Sequence, residues 1–160
     1  MILISKTSGS GRTHWTHSIY LEPTVKTYAN AILLKDYYQR NDTDFLESFE
    51  GRMVRIAYSR ATLTTWQTKL GSLFCVYCNK PDLQIELDGM AVSQDQKATL
   101  EHLNPISKGG DPFDLEHIVC ACGKCNGQRS NKDLNNFIKG KKITQQEFLD
   151  NCQIYFDLNK

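Results

Sequence analysis

Apolar side chains in the first 70 residues recur with the period of an α-helix. They return at intervals of three, four or seven positions, as in Val25, Tyr28 and Ile32, and again in Phe45, Phe49, Met53, Ile56, Leu63 and Leu70. Gly51 could separate two helices or be absorbed into one, and Gly71 is suited to end the last helix. We therefore expect residues 1–70 to be mostly helical, with a flexible polar arm over residues 5–18.

Residues 71–140 show strand patterns instead. Residues 83–92 alternate apolar and polar side chains around Asp88-Gly89, a pair typical of a hairpin turn. Two further short strands are predicted over 99–103 and 117–121, joined by a loop that contains Pro and Gly. A helix should follow the second of these strands.

A final helix is predicted within residues 141–160. Thr144 and Glu147 have the spacing of a capping box, in which each side chain bonds the other residue's backbone. The apolar positions that follow share one helical face: Phe148, Cys152 and Tyr155. Helices combined with a few short strands predict an α+β fold, with this last helix packed on the core.

Overall composition is that of a globular protein, with 40% hydrophobic residues, 23% charged residues and a net charge of +1. No apolar run approaches the ~18 residues of a membrane span, and Met-Ile-Leu-Ile is too short for a secretion signal, so a cytoplasmic protein without a membrane partner is expected. The near-neutral total argues against binding nucleic acid through bulk charge alone.

One window of the chain departs from that neutrality. Residues 124–142 carry only one acidic group, Asp133, against the basic residues Lys124, Arg129, Lys132, Lys139, Lys141 and Lys142. Such a run is often just a solvated helix face. Because it directly follows a candidate active site, we favour a nucleic-acid-binding surface.

The six cysteines are the most informative residues, because without a secretory signal they indicate metal binding before disulfides. Cys75 with Cys78, and Cys122 with Cys125, form two C-x-x-C pairs that suit a closed structural Zn²⁺ site of four thiolates. The alternative is four reduced core cysteines. The remaining two have no assigned ligand role: Cys120 and Cys152.

Between and beside these pairs, the sequence strongly resembles the HNH nucleases. The resemblance covers about residues 75–138 and rests on Glu101-His102, Pro105, Gly109-Gly110, Cys122-x-x-Cys125-Asn126 and Arg129. It implies a ββα-metal core with a four-cysteine zinc site, here extended by the N-terminal helical region and the C-terminal helix.

The resemblance also implies roles for individual residues. His102 would be the general base that activates water, while Glu101 and Asn126 would bind a catalytic Mg²⁺ or Mn²⁺. Glu101 replaces the Asp found in many members. Arg129, three residues beyond Asn126, would grip the scissile phosphate, and Lys132 is a weaker phosphate candidate.

His117 departs from the family pattern, which usually has Asn at the middle position. Histidine can donate and accept similar hydrogen bonds, so it could brace the loop that carries the base. As an alternative, it could be a third metal ligand, which would favour softer ions such as Zn²⁺ or Ni²⁺. We favour the bracing role.

The function implied by the resemblance is a metal-dependent endonuclease that cuts DNA and leaves 3′-hydroxyl and 5′-phosphate ends. Phage or mobile-element, restriction and anti-phage roles all remain open. Two alternatives stay with it: a nuclease subunit activated by a partner protein, and a zinc-stabilised nucleic-acid-binding module without catalysis. Residues 1–70 could provide dimerisation, partner docking or DNA recognition.

Overall fold

The computed structural model describes residues 5–9, 12–16, 49–87 and 90–160. The chain divides into two compact units, Met1–Ala61 and Thr62–Lys160. The α+β class predicted from the sequence is confirmed, since helices are combined with short antiparallel strand pairs.

The first unit contains two paired strands where the sequence predicted a flexible arm. Strands β1 (Ser5–Gly9) and β2 (Arg12–Thr16) are antiparallel, with Ser5 opposite Thr16 and Gly9 opposite Arg12. Thr and Trp residues in this segment favour extended backbone, which the predicted arm left out of account. The helical periodicity at Val25, Tyr28, Ile32 and Phe45 lies outside the described residues.

Helix α1 (Phe49–Leu70) continues from the first unit into the second. Gly51 is absorbed into this one helix, so the alternative of two separate helices is wrong. Gly71 ends it as predicted, with φ +82° and an N–H that donates to Gln67 O at 2.8 Å. A left-handed residue after the last turn costs glycine little, because it lacks Cβ.

The central hairpin pairs β3 (Ala98–His102) with β4 (Ile118–Cys122) and leads directly into α2 (Gly123–Arg129). Ala98 lies opposite Cys122 and His102 opposite Ile118. Both strands were predicted within one residue of their observed bounds. Every residue of β4 is buried, which explains its continuous apolar run.

The loop between these strands is ordered by two 3₁₀ turns, Ile106–Lys108 and Leu115–His117. Gly109 follows the first turn at φ +87°, a conformation that other residues rarely adopt. A Cβ on Gly110 would lie 2.1 Å from Asn104 O, so the backbone passes there too closely for a side chain. The Gly-Gly pair therefore sets the path of the loop.

The hairpin predicted over residues 83–92 does not form in the residues described there. Leu83 makes an isolated bridge with Leu73 and Gln84 one with Lys97, and no longer strand is present in that stretch. Leu87 is 54% exposed, so the apolar alternation does not mark one buried face. The predicted turn at residues 88–89 lies outside the described residues.

Helices α3 (Leu134–Lys139) and α4 (Gln145–Leu158) complete the second unit. The predicted capping box is confirmed, since Thr144 and Glu147 bond each other's backbone N–H groups. The predicted apolar face of α4 is buried through Phe148, Cys152 and Tyr155. In the described part of the chain, no helix combines the length and apolar character needed to cross a bilayer.

Candidate functional site

Four cysteines converge beside the central hairpin. The Sγ atoms of Cys75, Cys78, Cys122 and Cys125 all lie within 4.8 Å of one another. Four sulfurs bound to one Zn²⁺ at ~2.3 Å would be roughly 3.8 Å apart, so a small contraction would complete a tetrahedral site. The spacing and the donor set therefore fit the four-thiolate centre that the sequence predicts.

Backbone hydrogen bonds shape the two C-x-x-C turns around this cluster. Asn79, at φ +57°, donates its N–H to Cys75 O at 2.9 Å, and Cys75 N–H donates to Lys80 O at 3.0 Å. In the second turn, Cys125 N–H donates to Cys122 Sγ at 3.4 Å. Donors aimed at sulfur and tight turns at both pairs hold the thiols in converging positions.

The electrostatics of the cluster oppose ionisation of two of its thiols. Burial, together with the neighbouring sulfurs, raises the pKa of Cys75 well above its usual range and that of Cys125 to about 11. Burial also opposes ionisation of Cys78, but hydrogen bonds from Lys80 backbone and the other cysteines leave its pKa lowered. Lys141 Nζ approaches Cys125 Sγ at 3.5 Å. A divalent ion among the sulfurs would let all four thiols ionise together.

Glu101 is buried in the core next to the cluster, with only 2% of its surface exposed. Its Oε1 accepts a hydrogen bond from Tyr77 Oη at 2.9 Å and lies 3.2 Å from a guanidinium nitrogen of Arg129. Burial raises the pKa of Glu101 to about 7, while Arg129 and Tyr77 act in the opposite direction. The carboxyl group therefore depends on these two donors for its charge.

Arg129 faces the hairpin, whereas the sequence predicted that it would grip a substrate phosphate. It is 3% exposed, and its guanidinium donates to His102 O at 3.1 Å and to Leu103 O at 2.8 Å. Together with the Glu101 contact, these bonds join the end of α2 to the end of β3. In this arrangement Arg129 contacts the Glu101 carboxyl group and two backbone carbonyls and does not face solvent.

His102 lies half-buried at the end of β3. Its Nε2 is 3.1 Å from Pro112 O. Because a carbonyl oxygen can only accept, Nε2 must carry the proton in the neutral ring, and Nδ1 then carries the lone pair. The loop thus fixes the tautomer of this histidine.

Asn126, the residue after the last cysteine of the cluster, binds β3 from the first turns of α2. Its Nδ2 donates to Thr99 Oγ1 at 2.9 Å and to Leu100 O at 3.0 Å. Since the amide nitrogen serves the strand, the side-chain oxygen is the atom that could bind a cation. Asn126 thereby holds Leu100, the residue that precedes Glu101 on β3.

His117 lies on the turn before β4, with about half of its side chain exposed. Its Nδ1 is 2.6 Å from Asp114 Oδ2, and its carbonyl accepts from Leu103 N–H at 2.9 Å. Asp114 also accepts from Glu116 N–H at the start of the same turn. These contacts tie the loop to the strand that carries His102.

The basic residues after the cluster separate into two groups. Lys141 is half-buried, and its Nζ also contacts Gln128 Oε1 at 2.8 Å and lies over the Phe137 ring. Lys132 is exposed and donates to Gln128 O at 2.7 Å. The other lysines predicted to bind nucleic acid are exposed: Lys124, Lys139 and Lys142. The exposed lysines could therefore meet a polyanion directly, whereas Lys141 contacts the cysteine cluster.

Sequence reasoning did not identify two residues of this site. Tyr77 lies inside the first C-x-x-C pair, and that position was the one available signal of its importance. Asp114 precedes His117 by three residues, a spacing at which side chains of a helical turn meet. The positions of Tyr77 and Asp114 in the chain did not by themselves indicate that Tyr77 pairs with Glu101 or that Asp114 pairs with His117.

Comparison with known proteins supports the same region. Residues 75–132, rather more than a third of the chain, match the family model described as HNH endonuclease. The match begins at Cys75 and includes the hairpin, α2 and all four clustered cysteines. No curated protein and no solved structure matches the chain.

Proposed function

We propose that residues 75–132 form the centre of a metal-dependent endonuclease that hydrolyses DNA phosphodiester bonds and leaves 3′-hydroxyl and 5′-phosphate ends. The observation that carries this proposal is the HNH match, which coincides with the β3–β4 hairpin, the following helix and the cysteine cluster. This class of domain is typical of nucleases. The DNA substrate, the ions and the residue roles below are part of the proposal.

The first proposed ion is a structural Zn²⁺ bound by the four clustered cysteines. Four thiolates fill a tetrahedral shell and leave no position for water or substrate, so this ion would stabilise the fold without taking part in hydrolysis. The approach of Lys141 to Cys125 Sγ offsets part of the net negative charge of such a centre. It also links α2 to the chain just before α4.

The second proposed ion is a catalytic Mg²⁺ or Mn²⁺ held by Glu101 and Asn126. A carboxylate and an amide oxygen are hard ligands, and these ions commonly use one or two protein ligands with water and phosphate completing the shell. The orientation of Asn126, with Nδ2 committed to β3, makes its oxygen the ligand atom. Such an ion stabilises negative charge on the phosphate and on the leaving oxygen.

His102 is the proposed general base. With Nε2–H directed at Pro112 O, the lone pair on Nδ1 can take a proton from the attacking water. Histidine is the side chain that most often acts as a general base in enzymes. The protein thus supplies an oriented base on the strand end and does not need to reorganise the ring.

Arg129 and His117 are proposed to hold this base in place. Arg129 binds the carbonyls of His102 and Leu103, and the His117 carbonyl accepts from the N–H of Leu103, which directly follows β3. The alternative in which His117 is a third metal ligand would use Nε2, because Nδ1 contacts Asp114. DNA would be held mainly by exposed lysines: Lys124, Lys132, Lys139 and Lys142.

The test is cleavage of supercoiled plasmid by zinc-loaded protein with Mg²⁺ or Mn²⁺, with and without a chelator. We expect nicking that requires the added ion and is lost in His102→Ala. The matched control is His117→Asn, which introduces the usual family residue and should retain activity if His117 braces the loop. Zinc content and circular dichroism of each variant verify that the fold is intact.

Undiminished cleavage by His102→Ala would exclude the proposed mechanism. A changed ion preference in His117→Asn, with cleavage otherwise intact, would favour the metal-ligand role for His117. If folded wild-type protein nicks no plasmid with any divalent ion but binds DNA, then a partner-dependent subunit or a binding module replaces the autonomous nuclease.

A further inference from the structure

Tyr77 connects the cysteine cluster to Glu101. It lies between Cys75 and Cys78 in the first cysteine turn and is fully buried. Its hydroxyl donates to Glu101 Oε1 at 2.9 Å across a separation of 24 residues in the chain. Glu101 is also the proposed ligand of the catalytic ion.

The Tyr77 ring is fixed from two sides. Phe148 of α4 stacks on it with ring centroids 5.4 Å apart and planes 12° from parallel. Phe137 of α3 meets it edge-on, with centroids 5.1 Å apart at 90°. Aromatic neighbours in these two orientations restrict the ring, so the hydroxyl has one position from which to donate.

We propose that Tyr77 is a positioning residue that orients Glu101 toward the catalytic divalent ion and makes this orientation depend on the structural metal turn. This inference rests on the proposed function. Tyr77 Oη and the Arg129 guanidinium both contact the same carboxylate oxygen, Oε1. Because these donors hold Oε1, we assign Oε2 as the oxygen that binds the ion.

The connection to the metal turn follows from the backbone around Tyr77. Val76 N–H donates to Cys120 O at 3.1 Å, which fixes the turn against β4, and Asn79 N–H closes the turn on Cys75 O at 2.9 Å. The cysteines on both sides of Tyr77 are members of the cluster. A loosened cysteine turn would therefore move the phenol that restrains Glu101.

Tyr77→Phe tests the proposal, because it removes the hydroxyl and retains the ring that packs between Phe137 and Phe148. Hydrogen-bond partners of metal ligands typically contribute about 10–100-fold to affinity or activity. We expect Tyr77→Phe to keep its zinc and its fold, yet to bind Mn²⁺ about 10–100-fold more weakly. Electron paramagnetic resonance of Mn²⁺ added to zinc-loaded protein measures this affinity without requiring catalysis.

Tyr155→Phe is the matched control. Tyr155 is also fully buried among aromatic rings, and its hydroxyl accepts from Phe74 N–H at 2.9 Å and donates to Phe74 O at 2.7 Å. Its removal should lower thermal stability while leaving Mn²⁺ affinity unchanged in protein that retains its zinc. In cleavage assays, Tyr77→Phe should raise the Mn²⁺ concentration needed for half-maximal rate, with the KM for DNA unaltered at saturating Mn²⁺.

The possible results have separate meanings. Equal Mn²⁺ affinity in wild type and Tyr77→Phe would overturn the positioning role while leaving the proposed function intact. Equal weakening in both tyrosine variants, with the zinc content of each unchanged, would also overturn it, since the effect would then be a general loss of packing. If zinc-loaded wild type binds no Mn²⁺, the catalytic-ion proposal fails and the inference fails with it.

Discussion

Replacing Arg129 by methionine separates a positioning role from a direct phosphate contact. Methionine approximates the length of the arginine stem but lacks the guanidinium. The change removes the ion pair with Glu101 and the hydrogen bonds to the carbonyls of His102 and Leu103. If Arg129 acts mainly through these contacts, then Arg129→Met should lose stability and activity together.

The expected loss is large because both charges are buried. Arg129 is 3% and Glu101 2% exposed, so solvent screens the pair very little. Removing one partner of such a pair typically costs ~3–5 kcal/mol where the other group stays ionised and buried. Glu101 can escape part of this cost by taking up a proton, so the full loss is expected only at a pH where Glu101 is ionised. Domains of this size have unfolding free energies of about 5–15 kcal/mol. Arg129→Met should therefore lose a substantial part of its stability.

The loss should also depend on pH. Burial raises the pKa of Glu101 from 4.5 to about 7 although Arg129 opposes the shift, so without Arg129 the pKa should rise further. A folded-state pKa above the unfolded value gives stability that is fully present below 4.5 and is lost as pH rises through the folded-state value. In wild type this loss is complete near pH 7, whereas in Arg129→Met it continues above pH 7. The difference should grow by up to ~1.4 kcal/mol per pH unit there.

Urea denaturation of zinc-loaded protein at about pH 6 and about pH 8 measures both effects. The double variant Glu101→Gln with Arg129→Met lacks the titrating carboxyl and should lose the added pH dependence. Lys132→Met is the surface control, because Lys132 is exposed, and should change stability by less than ~0.5 kcal/mol. The reasoning is refuted if Arg129→Met is as stable as Lys132→Met at both pH values, in particular if cleavage is nonetheless lost.

Three further predictions concern the metal cluster, the loop and the last helix. Cys122→Ser should lose bound zinc and unfold, since structural zinc contributes ~10–16 kcal/mol in small domains; elemental analysis and circular dichroism measure this, and a folded, zinc-free protein would contradict it. Gly110→Ala places a Cβ 2.1 Å from the Asn104 carbonyl oxygen and should cost ~1–3 kcal/mol in thermal denaturation. The control is Gly127→Ala, whose Cβ meets nothing within 4 Å and which should stabilise helix α2 by up to ~1 kcal/mol. Equal melting temperatures of Gly110→Ala and Gly127→Ala would oppose the steric argument. Thr144→Ala removes the capping box of α4 and should cost ~1 kcal/mol, with Thr144→Ser largely retaining stability; no loss in the alanine variant would show that the cap is dispensable.

The sequence was sufficient wherever one short segment carries the determining chemistry. The C-x-x-C pairs predict converging thiols because each pair forms its own turn, and the structure brings the four sulfurs within 4.8 Å. The capping box of α4 and the stop at Gly71 are likewise local, and both are confirmed. The α+β class followed from the change in apolar period near residue 70.

Features that depend on tertiary pairing could not be predicted in this way. The alternation over residues 83–92 predicted a hairpin, but Leu83 and Gln84 instead bridge to Leu73 and Lys97, which are distant in the chain. Arg129 was assigned to phosphate on the basis of charge and resemblance. Its burial against Glu101 depends on how α2 packs on β3, and spacing along either segment does not specify that packing.

Side chains that attach α2 to the hairpin also belong to the proposed site. This helix has seven residues, fewer than the ~12–15 that an isolated helix needs to be even marginally stable. Cys122 caps its start, and Asn126 and Arg129 attach it to β3. Because the same side chains secure the helix and complete the proposed site, their substitution lowers stability and activity together. The side chain of His102 contacts Pro112 O in the loop, and the His102 backbone carbonyl that Arg129 binds is retained in His102→Ala. Loss of cleavage in a stable His102 variant is therefore the cleaner measure of chemistry.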